Sequence, residues 1–330
     1  MKNKCLAKYQ LCALVLLLIF CSSLKARSTP LDTTKVGIYL TSIYDLNYIN
    51  NSFSAEFWLW KINSKWEFKK YYAIEATNVK ESKREFSTTD WPDQTENILP
   101  NGKEDTLYWD YEKFRSVVKH EYDITKYPFD SEMLIMEFEG INYFDDLVKL
   151  QIDEKASGHS KLTIDGWRVG EMQLDTFNTI YASTFGSPGD KGFHKYSGIR
   201  VKIPIEREAT ALFLKLYAGI FVAFIIALFS LRINITEADG RFGVCVGALF
   251  AALANMYIVN SNLPLVSKFT FLDKAHILTI GLILVLFIAS TFSLKYYKAD
   301  KLKKSKRVDV IIGSLVIAVY MIGMIVIAPY

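Results

Sequence analysis

The residues that could perform covalent chemistry are few and scattered. None of the four histidines has a second histidine or a cysteine at metal-ligand spacing; they are His120, His159, His194 and His276. The glycine-rich segment at residues 186–192 lacks the Gly-Lys-Ser/Thr ending that would hold a phosphate at a helix N-terminus. The sequence therefore predicts no enzyme, no metal and no cofactor. Any function then rests on charged and aromatic side chains.

Long apolar stretches occupy the C-terminal part of the chain. Hydrophobic residues make up 51% of the 330 residues, and charged residues only 22%. After Glu208 the apolar stretches lie at residues 209–231, 242–259, 275–294 and 310–328. Each approaches the length of about 20 residues that an α-helix needs to cross a bilayer. They predict a domain of four transmembrane helices at residues 209–330. The alternative, four buried helices of a soluble bundle, is disfavoured because these stretches show no polar face.

The N-terminus has the pattern of a signal peptide. Three lysines within the first eight residues precede an apolar run at 11–20 and small residues that lead to Ala26. Residues 1–26 are therefore predicted to be removed, with an uncleaved anchor as the alternative. Of the four cysteines, only Cys245 lies beyond this leader, so the mature chain is predicted to contain no internal disulfide.

Two independent features predict the same membrane orientation. Cleavage after residue 26 leaves residues 27–208 outside the cell, which places the connections 232–241 and 295–307 in the cytoplasm. The second connection carries seven Lys and Arg and the single acid Asp300, as the positive-inside bias requires. A nucleic-acid patch is the other interpretation, but the position between two spans favours topology. We expect a multi-pass protein of the plasma (inner) membrane with its C-terminus outside and no nucleic-acid partner.

The predicted outer domain, residues 27–208, is acidic, and its sequence pattern predicts β-strands. It holds 23 Lys and Arg against 30 Asp and Glu, a net charge of −7. Short runs rich in aromatic and β-branched residues recur between turn residues, at 36–45, 53–62, 108–120, 133–139, 147–152, 167–176 and 199–205. This pattern predicts an antiparallel β-sandwich of the immunoglobulin-like kind. Residues 71–100 match no element.

One ordered set of motifs resembles a known superfamily. The segment Asp123-Ile124-Thr125-Lys126-Tyr127-Pro128-Phe129-Asp130 is followed by Trp167, by Arg207 just before the first apolar stretch, and by Asn262-Leu263-Pro264 after the second. This order resembles that of the pentameric ligand-gated ion channels, which include the Cys-loop receptors. His120 and Leu134 stand where that family has its two cysteines, so the signature disulfide is absent, as in prokaryotic members. The family's agonist-side tryptophan-proline motif and first-helix proline are also missing.

The resemblance implies a homopentamer, four further copies surrounding each chain, with the sandwich coupled to the helices. Its coupling residues would be Tyr127, Pro128, Phe129, Asp130, Arg207 and Pro264. Chemically, the Asp130 carboxylate can pair with the Arg207 guanidinium where the chain enters the membrane, while Phe129 presses on lipid or helix ends. The alternative is two exposed charges that do not meet.

The second apolar stretch would supply the pore. Counting back from Pro264 by the family's spacing gives the pore-lining residues Asp239, Gly243, Gly247, Phe250, Ala254 and Tyr257. An Asp239 ring with Glu237 nearby favours cations, although Arg241 could offset it, and Phe250 is the predicted gate. The competing interpretation makes Gly243, Gly247 and Ala251 a small-residue face for close helix packing.

A ligand site would follow the family to the subunit interface of the outer domain. Its candidate aromatic residues are Tyr143, Phe144, Tyr181, Phe185, Phe193 and Tyr196. Their rings suit a cationic ligand, with ordinary packing as the alternative. The resemblance thus implies a channel subunit that conducts cations, that a small-molecule or ionic ligand opens and that membrane lipid surrounds. A non-conducting sensor or adhesion receptor on the same scaffold is the alternative.

Overall fold

The computed structural model describes residues 32–63, 73–88, 107–141, 148–186, 192–261, 263 and 269–328. The predicted signal peptide lies outside these residues, as do Tyr143, Phe144 and Pro264. The described chain contains a strand-rich N-terminal part and a C-terminal part of four long helices. This division agrees with the change of composition after Glu208.

The N-terminal part forms two β-sheets from eleven strands. The strands are β1 (Asp32–Asn47), β2 (Ser52–Asn63), β3 (Ile74–Ala76), β4 (Val79–Ser87), β5 (Tyr108–Lys119), β6 (Ser131–Gly140), β7 (Val148–Ile152), β8 (Gly158–His159), β9 (Trp167–Val169), β10 (Gln173–Tyr181) and β11 (His194–Arg207). The first sheet has the order β4-β5-β2-β1-β7, with β8 also pairing with β1. The second has the order β10-β11-β6-β3, with β9 pairing with β11.

Alternating apolar residues from both sheets meet in one core. Ile38 on β1 and Phe57 on β2 are buried, as are Phe138 on β6 and Val201 on β11. The Phe57 and Phe138 rings bridge the sheets, with centroids 5.2 Å apart in an edge-to-face arrangement. This period-two burial is what the strand pattern predicted. The pairing is not wholly antiparallel, however, because β7 and β8 run parallel to β1.

Two parts of the strand prediction need correction. The run predicted at 167–176 is two strands, β9 and β10, which both pair with β11. The interruption lies opposite Pro204, which has no N–H for the ladder, and the Gly170 N–H donates to the Pro204 carbonyl at 2.8 Å. Residues 71–100, left without an element, contain β3 and β4. Polar β4 is exposed on one edge of its sheet, so it lacks an apolar alternation.

Four apolar helices follow β11: α1 (Ala209–Ser230), α2 (Ala238–Asn260), α3 (Phe271–Lys298) and α4 (Leu302–Ile327). By length and composition all four can cross a membrane. The first helix matches its predicted stretch to within one residue, and the other three are longer than theirs because polar end residues join the helices. At α3, Thr270 and Asp273 form a reciprocal capping box that fixes the helix start. The predicted basic loop at 295–307 is correspondingly short, since helix occupies all of it except residues 299–301.

The helices pack around a small apolar core. Alanines of α1 and α2, including Ala227 and Ala248, let the backbones approach Leu286 of α3. Tyr320 of α4 stacks on Phe224 of α1 with ring centroids 3.9 Å apart. Most other apolar side chains of the bundle point outwards, and only 11% of the most apolar part of α4 is buried. A bilayer is the environment that suits such a surface.

Candidate functional site

An ion pair joins the β domain to the start of the helices. The Arg207 Nε and one Nη donate to the two Asp130 carboxylate oxygens at 2.7 and 3.0 Å. The Asp130 side chain is fully buried and that of Arg207 is 10% exposed. The pairing is bidentate because β6, which begins one residue after Asp130, lies beside the end of β11. The predicted contact is therefore present, and the alternative of two separate surface charges is excluded.

Aromatic side chains surround the Arg207 guanidinium. Its carbon lies 4.1 Å from the Trp167 ring centroid and 5.0 Å from that of Tyr127. Tyr48 donates its hydroxyl to Asp130 at 3.2 Å and accepts a hydrogen bond from Arg207. Burial alone would lower the pKa of Arg207, but the hydrogen bonds to Asp130 raise that pKa above its ordinary value. The guanidinium thus stays charged although it is almost fully buried among aromatic rings.

The loop between β5 and β6 touches the ends of the helices. It contains a short 3₁₀ turn at Ile124–Lys126 and a cis Tyr127–Pro128 peptide bond. The Phe129 ring lies 5.5 Å from Phe213 of α1 and 6.0 Å from Phe271 of α3. Tyr127 is buried in a cluster with residues of α1, α2 and α3. A displacement of this loop would therefore disturb its contacts with three helices.

Hydrogen bonds close the same loop at its neck. One Glu132 oxygen accepts from the Asp123 backbone N–H at 2.9 Å, and the other lies 3.3 Å from His120 Nε2. Both side chains of the His120–Glu132 pair are at least nine-tenths buried. The His120–Glu132 contact ties the two ends of the loop without a covalent bond. Leu134 is buried in the β core.

The predicted pore stripe lies on the exposed face of α2. All six of its residues are exposed: Asp239, Gly243, Gly247, Phe250, Ala254 and Tyr257. The buried residues of α2 are Arg241, Cys245, Ala248, Ala252 and Val259. At about 100° per residue, these two sets occupy opposite sides of the helix. A Cβ built on Gly243 or Gly247 meets no atom within 4 Å, so neither glycine packs against the described residues of this chain.

Arg241 does not accompany Asp239 on that face, contrary to the expectation that it could offset the acidic ring. It is fully buried in the bundle and forms a bidentate ion pair with Asp309 of α4, with N–O distances of 3.0 and 2.5 Å. Its Nε donates to Ser290 of α3 at 3.0 Å. The basic residue is drawn inwards because two polar partners from other helices lie at the same level. Nothing in the local sequence marks those partners.

Several candidate ligand residues meet on the outer face of the second sheet. Tyr181 of β10 lies 5.5 Å from Phe185 and 5.7 Å from Tyr196 between ring centroids. The Tyr181 hydroxyl faces Glu139 at 3.5 Å, and burial together with Glu139 raises the Tyr181 pKa. Phe193, by contrast, is 74% exposed. The arrangement combines aromatic rings with a buried carboxylate, which suits a cation.

Glu139 and Tyr48 were not among the predicted site residues. Glu139 pairs in register with Glu75 of β3, so two carboxylates lie side by side in the sheet. Tyr48 lies in the turn after β1, far in sequence from Asp130 and Arg207. Both residues meet partners that are distant in sequence, and no short-range motif predicts these contacts.

Fold and site together define a two-sheet domain ahead of four membrane-capable helices, with a buried ion pair at the junction. No family model matches the chain, and no curated protein matches its sequence. The chain's function has to be argued from this geometry and from the motif order.

Proposed function

We propose that the protein is a subunit of a homopentameric ligand-gated ion channel that favours cations. The observation that carries this proposal is the junction, where the buried Asp130–Arg207 pair lies just before α1 and the neighbouring Phe129 ring packs against α1 and α3. In this proposal the two sheets form an immunoglobulin-like sandwich outside the cell, after a cleaved signal peptide. The junction transmits movement of the sandwich to the helices, because its charged and aromatic side chains are closely packed.

In the proposed pentamer, the exposed face of α2 lines the pore. Five copies of Asp239 form a negative ring at the cytoplasmic mouth, and such a ring attracts cations. The ion pair with Asp309 keeps Arg241 on the opposite, buried side of α2. The positive charge next in sequence to the ring is therefore neutralised by Asp309. This separation supports cation preference more strongly than the sequence alone does.

Phe250 is the proposed gate. Its side chain is 67% exposed on the face where Gly243 and Gly247 present no side chain. A ring of five phenylalanines can close a pore by excluding water, and Tyr257 adds a second constriction about two helical turns further on. The glycines leave the cytoplasmic half wide. A small tilt of α2 at the junction end then changes the diameter where the aromatic rings meet.

We place the ligand at the aromatic cluster of Tyr181, Phe185 and Tyr196 beside Glu139. A small organic amine fits this chemistry best, because the rings attract its charge and the buried carboxylate lacks a cationic partner in the contacts of the described residues. The net charge of −7 on residues 27–208 also concentrates cations near the site.

Planar-bilayer recording tests the proposal. Purified wild-type protein should give cation-selective currents that small amines increase. Phe250→Ser should leak without ligand, whereas Phe292→Ser, a matched change at an exposed position of α3, should behave as wild type. Silence from inserted, pentameric wild type and Phe250→Ser alike would instead support the non-conducting sensor.

A further inference from the structure

A buried polar contact joins α2 to α3 inside the helical bundle. His276 of α3 is 1% exposed, and its Nε2 lies 2.9 Å from the Asn255 side-chain oxygen on α2. The other ring nitrogen, Nδ1, donates to the Leu272 carbonyl at 2.9 Å. Because the Asn255 amide has both an oxygen and an NH₂ group, it can bond with the imidazole whether the ring is neutral or charged. The contact is therefore available in both protonation states of His276.

Asn255 occupies the side of α2 that faces away from the pore stripe. At roughly 100° per residue, it lies about 140° from Phe250 and about 160° from Tyr257 around the helix. It also meets α1, because a Cβ built on Gly219 would lie 2.5 Å from the Asn255 amide nitrogen. The amide is thus enclosed between the α1 backbone and the His276 ring. These contacts restrict rotation of α2 about its own axis.

The same contact continues towards the junction with the β domain. Leu272, whose carbonyl accepts from His276, is fully buried in a cluster that contains Tyr127 of the β5–β6 loop. The preceding residue, Phe271, has its ring centroid 6.0 Å from that of Phe129. The first turn of α3 therefore touches the loop on one side and, through His276, holds α2 on the other.

The chemistry of this contact is costly for a bundle of apolar helices. An amide and an imidazole in a membrane-spanning bundle are stable only when they are paired, whereas a leucine at either position would need no partner. One turn away on α2 and two turns away on α3, Ala252 and Ile283 fill the same faces with buried apolar groups. Apolar contacts tolerate small rotations, but a hydrogen bond is lost when its partners turn away. The polar pair therefore specifies one orientation of α2.

We propose that Asn255 and His276 are positioning residues for the Phe250 gate. Their hydrogen bond holds α2 in the orientation that keeps the Phe250 ring in the resting pore. When a change at the first turn of α3 breaks the bond, α2 turns and carries the ring away from the pore axis. This inference rests on the proposed function, because it assigns a role towards the proposed gate. Neither residue belongs to the pore stripe or to the candidate ligand residues.

Thiol labelling on the two sides of the gate tests this role in the reconstituted full-length protein. Cys245, which is buried, is changed to alanine in every variant. Gly247→Cys places a thiol about one turn to the cytoplasmic side of Phe250, and Tyr257→Cys places one on the outer side. A charged thiol reagent that cannot cross the bilayer is added outside. It should label Tyr257→Cys quickly and Gly247→Cys slowly while the gate is closed.

Loss of the hydrogen bond should open the way to the inner thiol. His276→Leu and Asn255→Leu should each raise the labelling rate of Gly247→Cys about tenfold, the effect of removing one buried hydrogen bond from the resting state. The two changes together should raise it no further than either one, because both remove the same contact. Labelling of Tyr257→Cys should stay the same. If His276→Leu assembles poorly, Asn255→Leu supplies the same measurement.

Two control variants separate positioning from a general loss of packing. His276→Gln keeps an amide that can bond with Asn255, so it should restore slow labelling of Gly247→Cys. Thr279→Val removes a buried hydroxyl of α3 that faces Tyr320 of α4, and it should also label slowly. Fast labelling in Thr279→Val would overturn the proposal, since any loss of a buried polar group on α3 would then have the same effect.

Phe250→Ser distinguishes a failure of this proposal from a failure of the proposed function. Slow labelling of Gly247→Cys in both leucine variants, with fast labelling in Phe250→Ser, would overturn the positioning role and leave the gate in place. Equal labelling in all variants, Phe250→Ser included, would overturn both proposals. In that case no gate would separate residue 247 from the solvent outside.

Discussion

Removal of the Asp130 carboxylate is the sharpest test of the junction. In Asp130→Ala, the Arg207 guanidinium stays among Tyr48, Tyr127 and Trp167 with only 10% of its side chain exposed, but without its anion. The rings offer weak compensation, and the backbone bond from the Arg207 N–H to the residue 130 carbonyl at 3.2 Å remains. The variant therefore tests the cost of one unpaired, buried charge.

The magnitude follows from the burial of both partners. Breaking a buried pair by removing one side costs about 3–5 kcal/mol, whereas an exposed pair contributes about 0–1 kcal/mol. At roughly 2–4 °C per kcal/mol for a domain of this size, the melting temperature should fall by about 6–20 °C. The double variant Asp130→Ala/Arg207→Met leaves no unpaired charge. It should fall by clearly less than the sum of the two single variants.

A neighbouring pair supplies the control. Arg168 of β9 and Glu206 of β11 form an ion pair of 3.2 Å next to Arg207, but their side chains are 66% and 63% exposed. Glu206→Ala should lower the melting temperature by no more than about 4 °C. Thermal melting of the full-length protein in detergent, followed by loss of monodispersity, measures all four variants.

Two results would contradict a large energetic cost of unpairing Arg207. One is an Asp130→Ala variant that melts within the range of Glu206→Ala, since burial would then carry no cost. The other is strict additivity of Asp130→Ala and Arg207→Met in the double variant. Under the proposed function, Asp130→Ala should also respond weakly to ligand while retaining the leak produced by Phe250→Ser.

Three further outcomes are expected. Arg241→Met should destabilise the protein by about 3–5 kcal/mol in thermal melting, and Asp309→Leu in the same chain should restore most of that loss. Burial and Asp130 raise the pKa of Tyr48 above its ordinary value of 10. Its contribution to stability is therefore complete below about pH 10 and is lost as the pH rises further, so melting temperatures between about pH 9 and pH 11 should fall less steeply in Tyr48→Phe. Glu139→Gln should weaken the response to small amines about fivefold in current recordings.

Local patterns predicted the helices and most of the buried strands of this fold. Apolar stretches long enough to span a bilayer gave all four helices, because in lipid a backbone has few alternatives to the helix. Alternation gave the buried strands, where a one-residue slip would expose residues such as Ile38 and Phe138. The exposed strand β4 was not predicted, because its side chains face water and show no alternation of apolar and polar residues. The strand predicted at 167–176 is interrupted opposite Pro204 of β11. The sequence of β9 itself contains no sign of this interruption.

The candidate site was predictable only where its residues belong to a motif. Asp130 and Arg207 could be paired by charge and by their positions before the membrane. Tyr48, which hydrogen-bonds with both, lies in the turn after β1, and Glu139, beside Tyr181, lies on β6; each meets its partners only after folding. Arg241 shows the same limit, because its adjacency to Asp239 in sequence suggested a shared face. Its partners on α3 and α4 turn it to the opposite one.

The mixed cluster beneath the β5–β6 loop bears on how such a chain can be cut and recombined. Ile124 and Tyr127 belong to the loop, yet they are buried among Tyr217 of α1 and Leu272 of α3. Side chains from before and after Glu208 therefore pack in one cluster, although the composition of the sequence changes at that residue. A fragment ending there would present these side chains to water, and a chimera joined there would set them against unfamiliar helices. Swaps that carry residues 122–130 together with the helix ends keep the original packing intact.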